Sequence, residues 1–146
     1  MDKRYSQPGA WAVIYCSATG KFLLGKRSAK VNKAGAWNLF GGRIDNGERP
    51  RNALVRELGE EAGISINPRR LAKLDTVSRK LRSRQLERDM HYFVIRANRE
   101  FSPRLNHEHS DFRWFRPSNY RPNSTVPSRL PSKKACSKKL LAIDGG

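Results

Sequence analysis

Glu57, Glu60 and Glu61 stand at spacing i, i+3 and i+4, so a helix through them gathers three carboxylates on one face. Five of the 13 acidic residues fall between Asp45 and Glu61, in a chain otherwise dominated by lysine and arginine. Like charges at these spacings repel by about 0.2–0.5 kcal/mol per pair. They also crowd the last turn of the helix, where the macrodipole favours cations. Arg56, four residues before Glu60, offsets part of this cost, but one guanidinium does not balance three carboxylates. A hard divalent cation does, because Mg²⁺ takes carboxylate oxygens, keeps several waters and bridges to substrate phosphates. The competing reading is a solvated acidic helix face without a ligand. The upstream residues favour the cation: Gly41-Gly42 lets bare backbone approach a ligand closely, and Glu48 stands at the helix entry just after the turn Asp45-Asn46-Gly47.

Residues 42–64 (GRIDNGERPRNALVRELGEEAGI) fit the spacing G-x5-E-x7-R-E-U-x-E-E-x-G-U, where U is bulky and aliphatic. Gly42, Glu48, Arg56, Glu57, Leu58, Glu60, Glu61, Gly63 and Ile64 fill all nine fixed positions. This resembles the Nudix box, the signature of the MutT-like Nudix hydrolase family. The resemblance implies an α+β Nudix fold, an α/β/α sandwich around a mixed β-sheet. It also implies Mg²⁺- or Mn²⁺-dependent hydrolysis of a nucleoside diphosphate linked to another moiety. By position, Glu57, Glu60 and Glu61 are similar to the family's metal ligands, and the Gly41 carbonyl to another. Arg56 is similar to the residue that orients Glu57 through a salt bridge, for which a guanidinium offers two parallel hydrogen bonds. Glu48 resembles the glutamate that supports the metal site from the helix entry, while Gly63 and Ile64 are structural positions.

The chemistry implied is metal polarisation of phosphoryl oxygens and activation of a water, with a carboxylate taking its proton. The family often places that base on a loop before a late strand. Glu108, in NHEHSDFRWF, is the best match, ahead of Glu100 and Asp111; an ordinary loop acid is the alternative. Two departures stand out. Phe40-Gly41-Gly42 replaces the Pro-Gly-Gly of many relatives, and Gly59 inside the helix costs about 1 kcal/mol against alanine. Markers of substrate subgroups are mostly missing. LLGKRS (23–28) partly resembles a coenzyme A pattern, but Asn32 stands where that pattern has arginine.

The elements that must position these residues follow from pattern. AWAVIYC (10–16) and FLLGKR (22–27) read as a hairpin, Ser28 to Ala36 as a loop, and Trp37 to Phe40 as a brief strand running into the glycines. Pro50 suits the first turn of a helix over about 50–62, with Gly63 as its stop. Leu54, Val55, Leu58 and Ala62 form its apolar face. Ile64 to Ile66 and Leu71 to Val77 are weaker strand candidates. Residues 79–88 (RKLRSRQLER) read as an exposed loop or hairpin tip, HYFVIR (91–96) and FRWF (112–115) as strands. Five of the eight prolines lie between residues 103 and 131. We therefore divide the chain into a hydrolase domain over 1–121 and a basic, Pro/Ser-rich tail over 122–146, with a terminal helix over Lys133 to Ile143.

A chain of 146 residues holds one ordinary domain. No apolar run approaches the ~20 residues of a membrane helix, and the N-terminus lacks a signal-like stretch. Cys16 and Cys136 read as free thiols, so a cytoplasmic address is expected. A net charge of +17 favours polyanionic partners. A nucleotide or nucleoside diphosphate-linked small molecule is the first choice, as a nucleoside diphosphate derivative or an oxidised nucleoside triphosphate to be hydrolysed, and RNA contact, with 5′-end pyrophosphohydrolysis or decapping, the alternative. Trp11, Trp37, Phe40, Tyr92 and Trp114 read as core with base stacking as the minority role. His91, His107 and His109 read as surface or packing residues.

Overall fold

The computed structural model describes residues 7–81 and 86–119. Seven strands form one mixed sheet: β1 (Gly9–Cys16), β2 (Phe22–Arg27), β3 (Trp37–Asn38), β4 (Phe40–Arg43), β5 (Ala72–Leu81), β6 (Leu86–Ala97) and β7 (His109–Phe115). The path β3-β2-β1-β6-β5 is extended by β4 on β1 and β7 on β2. β1 and β6 are parallel, from Gly9↔Met90 to Cys16↔Ala97, and every other pair is antiparallel. β1 meets β2 only at Tyr15↔Phe22, because β4 takes its other positions from Gly9 to Ala12. That division of one strand edge separates β2 from β4.

The period-two alternation of β1 sorts its side chains to two faces. Ala10, Ala12 and Ile14 join Leu23, Phe40, Phe93 and Ile95 on one face; Val13 and Tyr15 join Phe22, Leu24, Tyr92 and Val94 on the other. The one α-helix among the described residues, α1 (Pro50–Ala62), covers the first face with Ala53, Leu54, Leu58 and Ala62. Full burial of each leucine stabilises by about 1.5–3 kcal/mol, which outweighs the repulsion among the glutamates. Pro50 opens the helix, and Gly63 ends it at φ 64°. The Ile64 N–H donates to the Leu58 carbonyl at 3.1 Å, and the Arg104 N–H to that of Ala62 at 2.8 Å. The last turn holds no basic residue to offset its dipole.

Some expectations need correction. Ile64 to Ile66 is not a strand: both isoleucines pack on the core, but no neighbouring strand offers a ladder. The chain instead enters a 3₁₀ turn at Pro68–Arg70, where the Asn67 side chain accepts the Arg69 N–H at 3.0 Å. Of the two readings of the charged segment 79–88, the hairpin end holds and the plain loop does not, since β5 and β6 stay paired to Leu81↔Leu86. The proposed tail, its terminal helix and Cys136 lie outside the described residues. No helix among those described is long and apolar enough to cross a membrane.

Candidate active site

Strand β4 and helix α1 bring the first site residues together. A Cβ at Gly42 would sit 2.7 Å from the Glu57 carboxyl carbon, so the missing side chain makes room for that carboxylate. Next to it, the Gly41 N–H donates to Glu61 Oε2 at 3.0 Å. Gly41 has φ 147°, and a Cβ there would meet the Ala10 carbonyl oxygen and the Trp11 Cα of β1. The paired glycines thus let a strand backbone lie against a carboxylate-bearing helix.

The three helix glutamates do not share one environment. The Glu61 side chain is buried, that of Glu57 is 13% exposed and that of Glu60 56% exposed. Burial pushes the Glu61 carboxyl up to about 9, helped by its hydrogen bond with Glu108 and opposed by the Gly41 N–H. Loss of water disfavours the charged form of Glu61, so this carboxyl holds its proton well above the usual carboxylate range. Glu57 is also raised by burial, with Arg56 pulling the other way.

Arg56 is the hub behind them. Its Nε and Nη2 donate to the two oxygens of Glu48, at 3.1 and 2.8 Å. Nη1 donates to Glu57 Oε1 at 3.1 Å and lies 3.5 Å from Glu60; Nη2 also reaches the Arg43 carbonyl at 3.2 Å. The two-pronged pair expected with Glu57 is therefore made with Glu48, and Glu57 receives a single bond. Adjacent positions on a helix diverge by ~100°, so the fork cannot face residue 57 squarely. The Arg56 hydrogen bond, with one from the Asp45 N–H, lowers the Glu48 carboxyl below its usual range.

Glu108 arrives from the other side of the cleft. The loop before β7 is tied to the end of β2: the Ser28 N–H donates to the Glu108 carbonyl at 2.9 Å and Ser28 Oγ to the His107 carbonyl at 2.7 Å. This delivers Glu108 to Glu61. The other two base candidates are elsewhere: Glu100 lies 3.8 Å from Lys21, and Asp111 is exposed on β7.

The cleft so formed is about 710 Å³, with Glu57, Glu61 and Glu108 beside Gly41 and Gly42, and Arg27, Lys30, Lys33, Arg43 and Arg88 around them. Glu60 and Glu48 do not line it; Glu48 acts through Arg56. Of the five aromatics singled out, Trp11 alone lines it, with the Arg88 guanidinium 5.1 Å over its ring. Phe40 and Tyr92 are core, Trp37 packs on Phe115 and Trp114 on Phe101.

The packing role expected of His109 is met, but nothing in the sequence placed its ring in the cleft. It is buried, lines the cleft beside Glu61 and Glu108, and has no hydrogen-bond partner at Nδ1. Burial, with help from Arg27, holds its imidazole down to about 4, so the ring is neutral. No metal-ligand spacing marks it; its neighbour Glu108 is the one local signal.

The comparisons with known proteins identify the family. The NUDIX domain family model matches residues 6–135. The chain is 32% identical over 119 residues to the CTP pyrophosphohydrolase of Escherichia coli (strain K12), covering 80% of this chain and 82% of that protein. It is 33% identical over 95 residues to the 8-oxo-dGTP diphosphatase of Proteus vulgaris, covering 65% and 80%. The crystal structure of a MutT NUDIX hydrolase from Burkholderia pseudomallei superimposes with a TM-score of 0.65 at 25% identity, over 94% of this chain and 95% of that one. A complete box, a mixed sheet with its glutamate helix on one face, and a match over most of the length agree: the chain belongs to the Nudix family and is a MutT-like Nudix hydrolase.

Proposed function

We propose that this enzyme hydrolyses a diphosphate linkage in a nucleoside triphosphate or nucleoside diphosphate derivative, with Mg²⁺ or Mn²⁺ as cofactor. The polarity of its cleft carries the reading: Glu57, Glu61 and Glu108 face a space ringed by five arginines and lysines. The basic ring attracts a polyphosphate and the carboxylates repel it, and a divalent cation between them resolves the conflict. The residues present fit such a cation, since donor atoms of Glu61, Glu108 and His109 lie within 4.8 Å of one another and His109 Nδ1 is buried without a partner. By the family pattern Glu57, Glu60, Glu61 and the Gly41 carbonyl would hold it. When bound, the cation polarises phosphoryl oxygens, lowers the pKa of water and neutralises charge on the leaving phosphate.

The chain's own residues supply the rest. Arg56 holds Glu57 from the helix side and Glu48 from the helix entry. Glu108 takes the proton of the attacking water. Arg27, Lys30, Lys33, Arg43 and Arg88 bind phosphate oxygens. Trp11 offers a ring face to a base. The names of the two relatives make CTP and 8-oxo-dGTP the first substrates to try. A panel of these, other nucleotides and capped RNA, each with Mg²⁺ and Mn²⁺, tests the reading. We expect turnover of free nucleotides that stops in excess EDTA. Undiminished turnover in EDTA sinks the cofactor assignment, and activity confined to capped RNA replaces the substrate assignment.

A further inference from the structure

Among the described residues, one group of three side chains has its candidate donor atoms all within 4.8 Å of one another: Glu61, Glu108 and His109. His109 is 5% exposed, and its Nδ1 is buried with no hydrogen-bond partner. The ring is also fixed in place. Phe40 packs against it with centroids 4.8 Å apart, and a Cβ at Gly25 would stand 2.6 Å from His109 Cδ2, so β2 leaves room for this imidazole and for little else. The His109 backbone N–H donates to the Asn106 carbonyl at 3.3 Å, and Ser28 anchors the preceding residues. A ring packed purely as an apolar filler gains nothing from a ring nitrogen set beside two carboxylates.

We propose that His109 is a nitrogen ligand of the cation, beside Glu61, and that it turns the site toward Mn²⁺ and other first-row transition ions over Mg²⁺. The inference rests on the cation dependence proposed above and adds the identity of one ligand and its consequence. Bonds of about 2.1 Å put ligand atoms about 3.0 Å apart when adjacent and ~4.2 Å apart when opposite. From a separation of at most 4.8 Å the His109 and Glu61 atoms therefore close by about two ångströms or less, a shift that the Glu61 side chain can supply. Imidazole suits transition ions, whereas Mg²⁺ prefers oxygen and sheds water reluctantly, so one nitrogen among oxygens favours the former. The packing by Phe40 and Gly25 supplies the orientation that a ligating histidine needs.

The test reads the metal directly. The full chain is loaded with Mn²⁺ and studied by pulsed electron paramagnetic resonance, once with ordinary histidine and once with ¹⁵N-labelled histidine. We expect a nitrogen coupling that changes with the label and disappears in His109→Leu. Calorimetric titration with Mn²⁺ and Mg²⁺ should show the Mn²⁺ preference falling by about tenfold or more in that variant. The labelling arm, repeated in His91→Gln and His107→Gln, assigns a coupling that survives both to His109 even where His109→Leu does not fold. Bound Mn²⁺ with no histidine coupling overturns the proposal and leaves the cation reading intact. Failure to bind either ion, with EDTA-insensitive turnover, overturns both.

Discussion

Arg56 reaches four carboxylates, those of Asp45, Glu48, Glu57 and Glu60, and one backbone carbonyl. No single charge–charge term explains that arrangement; the planar fork does, because it holds Glu48 with two nitrogens while a third reaches Glu57. Arg56→Lys keeps the charge and loses the fork. We expect kcat to fall by ~10–100-fold with KM changed less than ~3-fold, since a misplaced Glu57 matters chiefly in the transition state. Near wild-type kcat in steady-state kinetics would reduce Arg56 to a charge balancer. Glu61 gives a second prediction. Its carboxyl is raised from an ordinary 4.5 to about 9, so between those values the native state binds a proton that the unfolded state has released. The stability it contributes is whole below pH 4.5 and is lost as pH rises toward 9. His109 acts oppositely: held down to about 4 from 6.5, it makes stability rise with pH across that lower window. Metal-free protein should therefore lose melting temperature most cleanly between pH 6.5 and 9. Glu61→Gln should flatten that slope, and it should lower kcat by ~100-fold or more if Glu61 is a ligand. A slope unchanged in Glu61→Gln rules out Glu61 as its source.

Within β4, two adjacent glycines answer to different constraints. At Gly41 an added Cβ meets the backbone of β1 at a φ that side chains rarely adopt; at Gly42 it meets only the mobile end of Glu57. Gly41→Ala should thus cost stability, about 1–3 kcal/mol, because neither strand can yield without breaking the Trp11↔Gly41 pairing. Gly42→Ala should cost less than ~1 kcal/mol, since the end of the Glu57 side chain can shift into the cleft, yet it should lower kcat by ~10-fold or more by displacing Glu57. Denaturant melts and kinetics on the same two variants check this. The idea fails if Gly42→Ala proves the less stable of the two. Helix α1 tolerates its crowded glutamates because Leu54 and Leu58 are fully buried beneath them.

For the molecule as a whole, +17 is distributed between the cleft, the strands and residues beyond 121. Residues 122–146 carry five lysines and arginines against one aspartate. We propose the division at 121/122 as a functional one, with the tail adding polyanion affinity and no chemistry. Weak binding to RNA should fall steeply with salt, and ending the chain at 121 should lower the logarithmic salt slope by at most ~4. Hydrolysis of a small nucleotide by the shortened chain should stay within about threefold of the full chain, well under the tenfold that ~1.4 kcal/mol produces. Loss of hydrolysis together with a lower melting temperature would place residues 122–135 inside the domain, where the family match already reaches.

How much of this was legible in sequence differs by range of interaction. The helix over 50–62, its glycine stop and the first hairpin are visible because capping, period 3.6 and period 2 are local rules, and the structure bears them out. The box spacing marked Glu57, Glu60 and Glu61 for the same reason, since a helix converts sequence distance into angle. Spacing could not say that Glu61 is buried and Glu60 exposed, because that depends on where β4 lies against the helix. Nor could it find His109, whose place is set by the pairing of β7 with β2, Arg27↔His109, across 82 residues of chain. The fork of Arg56 turned to Glu48 rather than to its neighbour for a related reason: the turn at Asp45 folds the chain back, and the Asp45 N–H holds Glu48 in range. The sequence by itself determined which residues carry charge and which helix presents them. The tertiary structure decided which of those charges lose their water, because desolvation depends on what long-range pairing stacks against each side chain.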